Sequence, residues 1–364
     1  VISQTTLNNP KLKRFEALTG LRALAVTLVF IYHNRKYWSG DLHPEIMRLF
    51  NEFHVGVSIF FVLSGFLIAY NYGEKVIRNF KDYSKYIIIR MARVLPLYWL
   101  ILTAYYLDTK FGKLNFSAMT YSLLHGLSNK FNLNAIAQAW SLTVEMSFYI
   151  IAPIFFSIKK NHLFYFAIIS LGIFAIYFAI GKSWFIANGN PNQFLYPLDF
   201  LLNSTMAGRI NEFIAGILIA ITIKKGKDNF ITRFQFKTIA GFSGIFLTLY
   251  AIGWFQNDVF KHGYEHPVGR LIFIFILPFF ISIFIIGLIQ ERTKIQKLLS
   301  SKFLMLLGNA SFAFYLIHIS YVNIRIRDLW LGPDRNFILL WAVSIVLYLS
   351  FEKPIYNGIR KLVK

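Results

Sequence analysis

Ten apolar runs, most about as long as the 20 residues that cross a bilayer as a helix, constrain this chain more than any other feature. They lie near 16–33, 54–73, 84–107, 138–158, 163–181, 206–223, 236–255, 268–290, 303–323 and 337–351. Inside hydrocarbon a backbone must satisfy its own hydrogen bonds, so each spanning run is expected to be helical. The expected fold class is all-α: a polytopic membrane protein of about ten transmembrane helices, forming a single integral-membrane domain over residues 1–364. Composition agrees, with 56% hydrophobic and 15% charged residues, where a soluble domain carries about 25% charge.

The net charge of +21 suggests nucleic acid, but the basic residues sit in short clusters between the apolar runs, where the positive-inside rule puts them. No nucleic-acid partner is expected. The clusters are Lys11/Lys13/Arg14, Lys75/Arg78/Lys81/Lys85, Lys159/Lys160, Lys224/Lys225/Lys227/Arg233/Lys237, Arg292/Lys294/Lys297/Lys302 and Lys353/Arg360/Lys361/Lys364. With ten spans all six fall on one face, the cytoplasmic one, with both termini. A further run, 116–128, would invert the later clusters if it crossed, so 115–137 is expected to stay outside as a short interfacial or re-entrant segment. No cleavable signal peptide is expected, because no small-residue site closes a short apolar core. The chain has no cysteine, which removes thiolate ligands and thiol nucleophiles.

Charges inside the runs are the next signal, since each costs roughly 2.5–3.5 kcal/mol at a helix centre. Arg22 and His33 share the first run, eleven residues apart, or about 16 Å along a helix. Arg90 and Arg93, at i and i+3 on one helix face, precede Pro96, Tyr98 and Trp99 and suit an anion entering from the cytosol, because guanidinium matches phosphate geometry. Alternatively, Arg90 snorkels to lipid phosphate. Glu145, counted inward from Gln138, falls in the outer layer with His33. A carboxylate–imidazole pair is what general-base chemistry needs; the other reading pairs Glu145 with Arg209 to hold helices together. Ser64 and Gly65 either let helices pack closely or make room for a ligand. Arg209 and Glu212 form either a structural bridge or an acceptor contact, and His318, in Tyr315-Leu316-Ile317-His318, is either a packed or a catalytic histidine. His43, His54, His125, His262 and His266 lack ligand spacing, so no metal site is expected.

Leu18-Thr-Gly-Leu-Arg22-Ala with His33, Phe60-Phe-Val-Leu-Ser-Gly-Phe66, Arg90/Arg93 before Pro96-Leu-Tyr98-Trp99, Trp140-Ser-Leu-Thr-Val-Glu145 with Phe148-Tyr149, Gly308-Asn-Ala-Ser311 leading to Tyr315 and His318, and Tyr348…Glu352-Lys-Pro354 occur in that order. Together they resemble the membrane-bound acyltransferase 3 family, whose Arg-x(10)-His, Arg-x-x-Arg and Ser-Leu-x-x-Glu motifs fall on Arg22/His33, Arg90/Arg93 and Glu145. Position 19 is Thr where Asp or Gln is frequent in the family, and Met146 replaces a second Glu.

The resemblance implies an enzyme of the cell (inner) membrane that transfers an acyl group, usually acetyl, from cytoplasmic acyl-CoA to a hydroxyl of a cell-surface or extracytoplasmic carbohydrate. His33 and Glu145 are its expected catalytic residues. Arg22, Arg90, Arg93, Tyr98 and Trp99 are expected to hold acetyl-CoA, and Ser64, Trp140, Arg209, Glu212, Tyr315 and His318 the acceptor. No metal is expected, and the additional extracytoplasmic hydrolase-like domain of some members is not expected here. The competing reading is a transporter or flippase for a glycolipid or anionic metabolite, with the same charges lining its path.

Overall fold

The computed structural model describes residues 15–37, 42–73, 79–108, 117–134, 136–158, 162–189, 191–225, 234–257, 261–329 and 333–363. Lys11, Lys13, Arg14, Lys75, Arg78, Lys159, Lys160, Lys227, Arg233 and Lys364, from the basic clusters, lie outside them. The described residues form helices, with one isolated bridge between Ser128 and Phe194 and no strand. The main helices are α1 (Glu16–Asn34), α2 (Val55–Tyr72), α3 (Phe80–Leu107), α4 (Trp140–Phe156), α5 (His162–Asn188), α6 (Met206–Lys225), α7 (Lys237–Gly253), α8 (Leu277–Gln290), α9 (Lys302–Ile317) and α10 (Pro333–Leu347).

Among the described residues, eight helical stretches are long and apolar enough to cross a membrane, and a ninth counts if α9 and the following Tyr321–Arg327, bent by 90°, are one span. The shorter apolar α7 occupies the remaining expected run. The protein is an all-α polytopic membrane protein. Helix α5 illustrates this physically: of its 27 residues only Phe166 and Gly181 are buried, so its apolar surface suits lipid rather than water. In the segment 115–137 the described part holds only single turns, Ala118–Tyr121 and Leu124–Leu127, too short to span.

Small residues set the inner packing. The Cα of Gly65 on α2 meets the backbone of Phe213 on α6, and Gly216 on α6 meets the carbonyl of Val62 on α2, so a Cβ at either place would clash. This close approach is the usual device of helix pairs in lipid, where hydrophobic burial alone does not draw helices together. Phe61, Phe213 and Phe148 stack beside the seam. Gly308 likewise lets α9 approach the carbonyl of Thr19 on α1. Helix α7 is capped from a distance: Glu291 accepts from the backbone N–H groups of Lys237 and Thr238 at 2.7 and 2.8 Å and from the Thr238 hydroxyl at 2.6 Å, satisfying donors that a helix start leaves open.

Among the described residues two π-helical turns interrupt the α geometry, Ile272–Ile276 before α8 and Tyr348–Glu352 after α10. Such turns re-aim side chains and recur at functional sites. The second turns Glu352 into the interior.

Candidate active site

Three arginines converge on one cavity of about 90 Å³, lined by Arg22, Arg90, Arg93, Ser64, Glu145 and Tyr149, with Ser141, Ser311 and Tyr315 beyond. Helix α3, begun by Asn79 accepting from Asp82 N–H at 2.9 Å, turns Arg90 and Arg93 to the same side. Arg22 lies six residues into α1, about 9 Å along its axis. Glu145 accepts from Ser64 at 2.9 Å and from the Tyr149 hydroxyl, while Glu352 stands within electrostatic reach of Arg22 and Arg93. Three guanidinium groups thus face two carboxylates. None of the three forms an ion pair with either carboxylate among the described residues. Arg90 covers the Tyr72 ring at 4.7 Å, and its Nε is buried with no partner. Unspent donors in a half-buried pocket are what an incoming anion needs.

Above the cavity a polar ladder climbs toward the other end of α1. Tyr315 shares a hydrogen bond with Ser141 at 2.7 Å. Gln138 Nε2 donates to the carbonyls of Tyr315 and Leu316 at 2.8 and 2.6 Å. His318 follows three residues later, and its ring centroid lies 5.3 Å from that of His33. His33 is accessible, whereas His318 is fully buried.

The expected pairing of Glu145 with His33 does not occur. No hydrogen bond or ion pair joins them among the described residues, and Glu145 is committed to Ser64 and Tyr149 beside the arginines. Counting depth from Gln138 assumes that this residue sits at the outer surface. Instead Gln138 and Ala139 are buried, with Gln138 bonded to two carbonyls of α9. The span's first residues pack inside the protein, and Glu145 meets the arginines rather than His33. Nor does it pair with Arg209, which is bound by Glu212 at 2.7 and 2.8 Å and donates to Ser58 at 3.1 Å. The aromatic rings of Phe273, Phe61 and Trp140 lie 4.8–6.0 Å from that guanidinium.

Tyr98 and Trp99 do not line the arginine cavity. They face the single turn Ala118–Tyr121, donating to the carbonyls of Thr120 and Tyr121 at 2.7 and 2.9 Å, so their polar edges hold that segment down. Arg22, Arg90, Arg93, Ser64 and Tyr315 are brought together as lining residues.

Two elements escaped sequence reasoning. Glu352 was visible only as part of a closing motif. The other is a second polar cluster, where Glu52 is fully buried and accepts from Gln256 at 2.6 Å and Gly263 N–H at 2.8 Å, beside His54 Nε2 at 3.0 Å. Tyr32 and His262 Nε2 meet at 3.1 Å. Burial first, then the neighbouring His54, holds the His262 imidazole below its ordinary range. Nothing in local spacing announces this group, because residues some 200 positions apart make it. Among the described residues no group of three or more His, Asp or Glu could hold a metal ion.

Residues 15–351 match the family model described as an acyltransferase domain. The chain belongs to the acyltransferase 3 family. Its curated relatives within reach include "Putative O-acetyltransferase SACOL0978" of Staphylococcus aureus (strain COL), 26% identical over 343 residues, covering 86% of this chain and 51% of that one. "O-acetyltransferase OatA" of S. aureus (strain NCTC 8325 / PS 47) is 23% identical over 338 residues, covering 84% and 51%. The chain therefore spans about half the length of the curated relatives it matches. No solved structure matches. In this acyltransferase 3 member Arg22, Arg90 and Arg93 line one cavity, and His33 stands about three helical turns along α1 from Arg22.

Proposed function

We propose that this chain moves an acyl group, acetyl in the first instance, from cytoplasmic acyl-CoA to a hydroxyl of a carbohydrate on the far side of the cell (inner) membrane. Both termini then lie in the cytoplasm, as the basic clusters require, and the whole chain acts as one membrane domain embedded in lipid. The observation that carries this reading is the arginine cavity, whose guanidinium groups have no ion-pair partner among the described residues and whose far wall leads through Tyr315 to His318 and His33. Family membership supports acyl transfer, and the relatives' names support O-acetyl transfer.

Arg22, Arg90 and Arg93 bind the donor's phosphates, with Glu145 and Glu352 close by. The pantetheine extends along α1 toward His33, about 16 Å from Arg22. The His33 imidazole takes the proton of the acceptor hydroxyl as its oxygen attacks the thioester carbon. The C–O bond forms, the C–S bond breaks, and the proton passes to the departing sulfur. Trp140 and the Arg209–Glu212 pair wall the acceptor side, while Ser64, expected there from the sequence, lines the arginine cavity beside Glu145.

Proteoliposomes loaded with mixed oligosaccharides and given labelled acetyl-CoA outside test this. Release of free CoA thiol with label in the sugar fraction, lost in His33→Ala, is the expected result. Intact thioester with wild-type protein, or unchanged transfer in His33→Ala, overturns the proposal.

A further inference from the structure

If His33 is the base, something must hold its ring while it carries a proton. Neither of the two candidate carboxylates is available. Glu145 is bound by Ser64 and Tyr149, and Glu52 is occupied by His54, Gln256 and Gly263.

His318 is placed differently. Its Nδ1 lies 2.7 Å from the carbonyl oxygen of Tyr315, an atom that only accepts. Nδ1 therefore carries the hydrogen, and in the neutral ring Nε2 is a bare acceptor. That Nε2 is buried and has no partner. The residue is anchored further by Asn323, which donates to the His318 carbonyl and is itself held by Asn336 at 2.9 Å. Beside this fixed ring lies His33, 5.3 Å between centroids with the planes at 48°. The His33 side chain makes no hydrogen bond among the described residues, and its ring is accessible. A His33 N–H is the chemical complement of that lone pair.

We propose that His318 is the positioning residue of His33, its buried Nε2 accepting a hydrogen bond from one His33 nitrogen so that the other faces the acceptor hydroxyl. The inference rests on the reading of His33 as base. In the carboxylate version of such a dyad the partner is an anion and binds the imidazolium strongly. A neutral imidazole orients the ring without adding buried charge, and it leaves the proton free to return to the thiolate. The bookkeeping is that of the proposed reaction: the hydroxyl proton goes to His33, C–O forms as C–S breaks, and sulfur takes the proton. His318 gains and loses none.

Two substitutions separate this from a packing role. His318→Asn keeps a donor near Nδ1 for the Tyr315 carbonyl but has no atom at Nε2, while His318→Gln keeps an acceptor near Nε2 and gives up the tether. The expected result is a fall of about 100-fold in kcat for His318→Asn, within the range of base catalysis, with the KM for acetyl-CoA unchanged. His318→Gln should recover roughly a tenth or more of the wild-type rate. In a His33→Ala background, His318→Asn should cost nothing further. Equal loss in both variants, wild-type kcat in His318→Asn, or a further loss in the His33→Ala background overturns the inference. Full activity in His33→Ala alone would instead overturn the functional reading on which it stands.

Discussion

Ser64 donates to Glu145 across 2.9 Å, and this bond joins α2 to α4 at the level of the three arginines. A carboxylate held in a membrane interior needs such donors. Replacing Ser64 by Ala removes one, at about 1–3 kcal/mol for a charged acceptor left short. Acetyl-CoA-dependent transfer in membranes should fall about 10- to 100-fold. Glu145→Gln, which changes the local charge by one, should fall further. Initial rates at saturating acetyl-CoA check both, and a Glu145→Gln rate above that of Ser64→Ala contradicts the account.

Arg93 lines the cavity without an ion pair among the described residues. Lysine keeps the charge but not the planar fork. Arg93→Lys should raise the KM for acetyl-CoA about tenfold, the cost of one charged hydrogen bond, with kcat nearly unchanged. Arg93→Ala should raise it further. Titration calorimetry with coenzyme A alone gives the same ranking without turnover.

A methyl group at residue 216 would meet the Val62 carbonyl. Gly216→Ala forces the α2–α6 seam apart, costing about 1–3 kcal/mol as overpacking does. A lowered melting temperature in detergent is expected, and an unchanged one refutes the close approach.

Glu291 sits outside the spanning helices. Desolvation pushes its carboxyl up, but hydrogen bonds from Thr238 and the Lys237 N–H, with the Lys237 charge, outweigh it and hold the group below the usual carboxylate value. Since the folded value is depressed, the stabilisation is present above the unfolded value and is lost as pH falls through the folded one. Glu291→Gln should therefore lower the melting temperature at pH 7 and make little difference at a pH below the carboxylate range. Melting curves of both proteins at the two pH values decide it.

The helices were legible because the bilayer leaves a chain few choices: α5 and the stretch Pro267–Gln290 that ends in α8 announce themselves by length and hydropathy alone. Arg22, Arg90 and Arg93 were legible because charge inside such helices is rarely idle, and the cavity unites them. What depth-counting could not supply was where a span begins. Gln138 looks like an interfacial residue, yet its side chain donates to two carbonyls of α9, and that offset moved Glu145 away from His33. Tyr98 and Trp99 followed the arginines in sequence, but their place on the helix turned them toward Thr120 and Tyr121. The Glu52–His54–His262 group depends on a long-range meeting that no local pattern encodes.

The π-helical turn at Tyr348–Glu352 bears on how this domain can be cut. The family match stops at residue 351, one position before the carboxylate that the turn delivers to Arg22 and Arg93. A fragment ended at that boundary keeps every matched motif residue through 351 yet removes the Glu352 carboxyl from beside Arg22 and Arg93. Borders for excision or fusion are safer drawn beyond Leu362, where the helix Lys353–Leu362 ends.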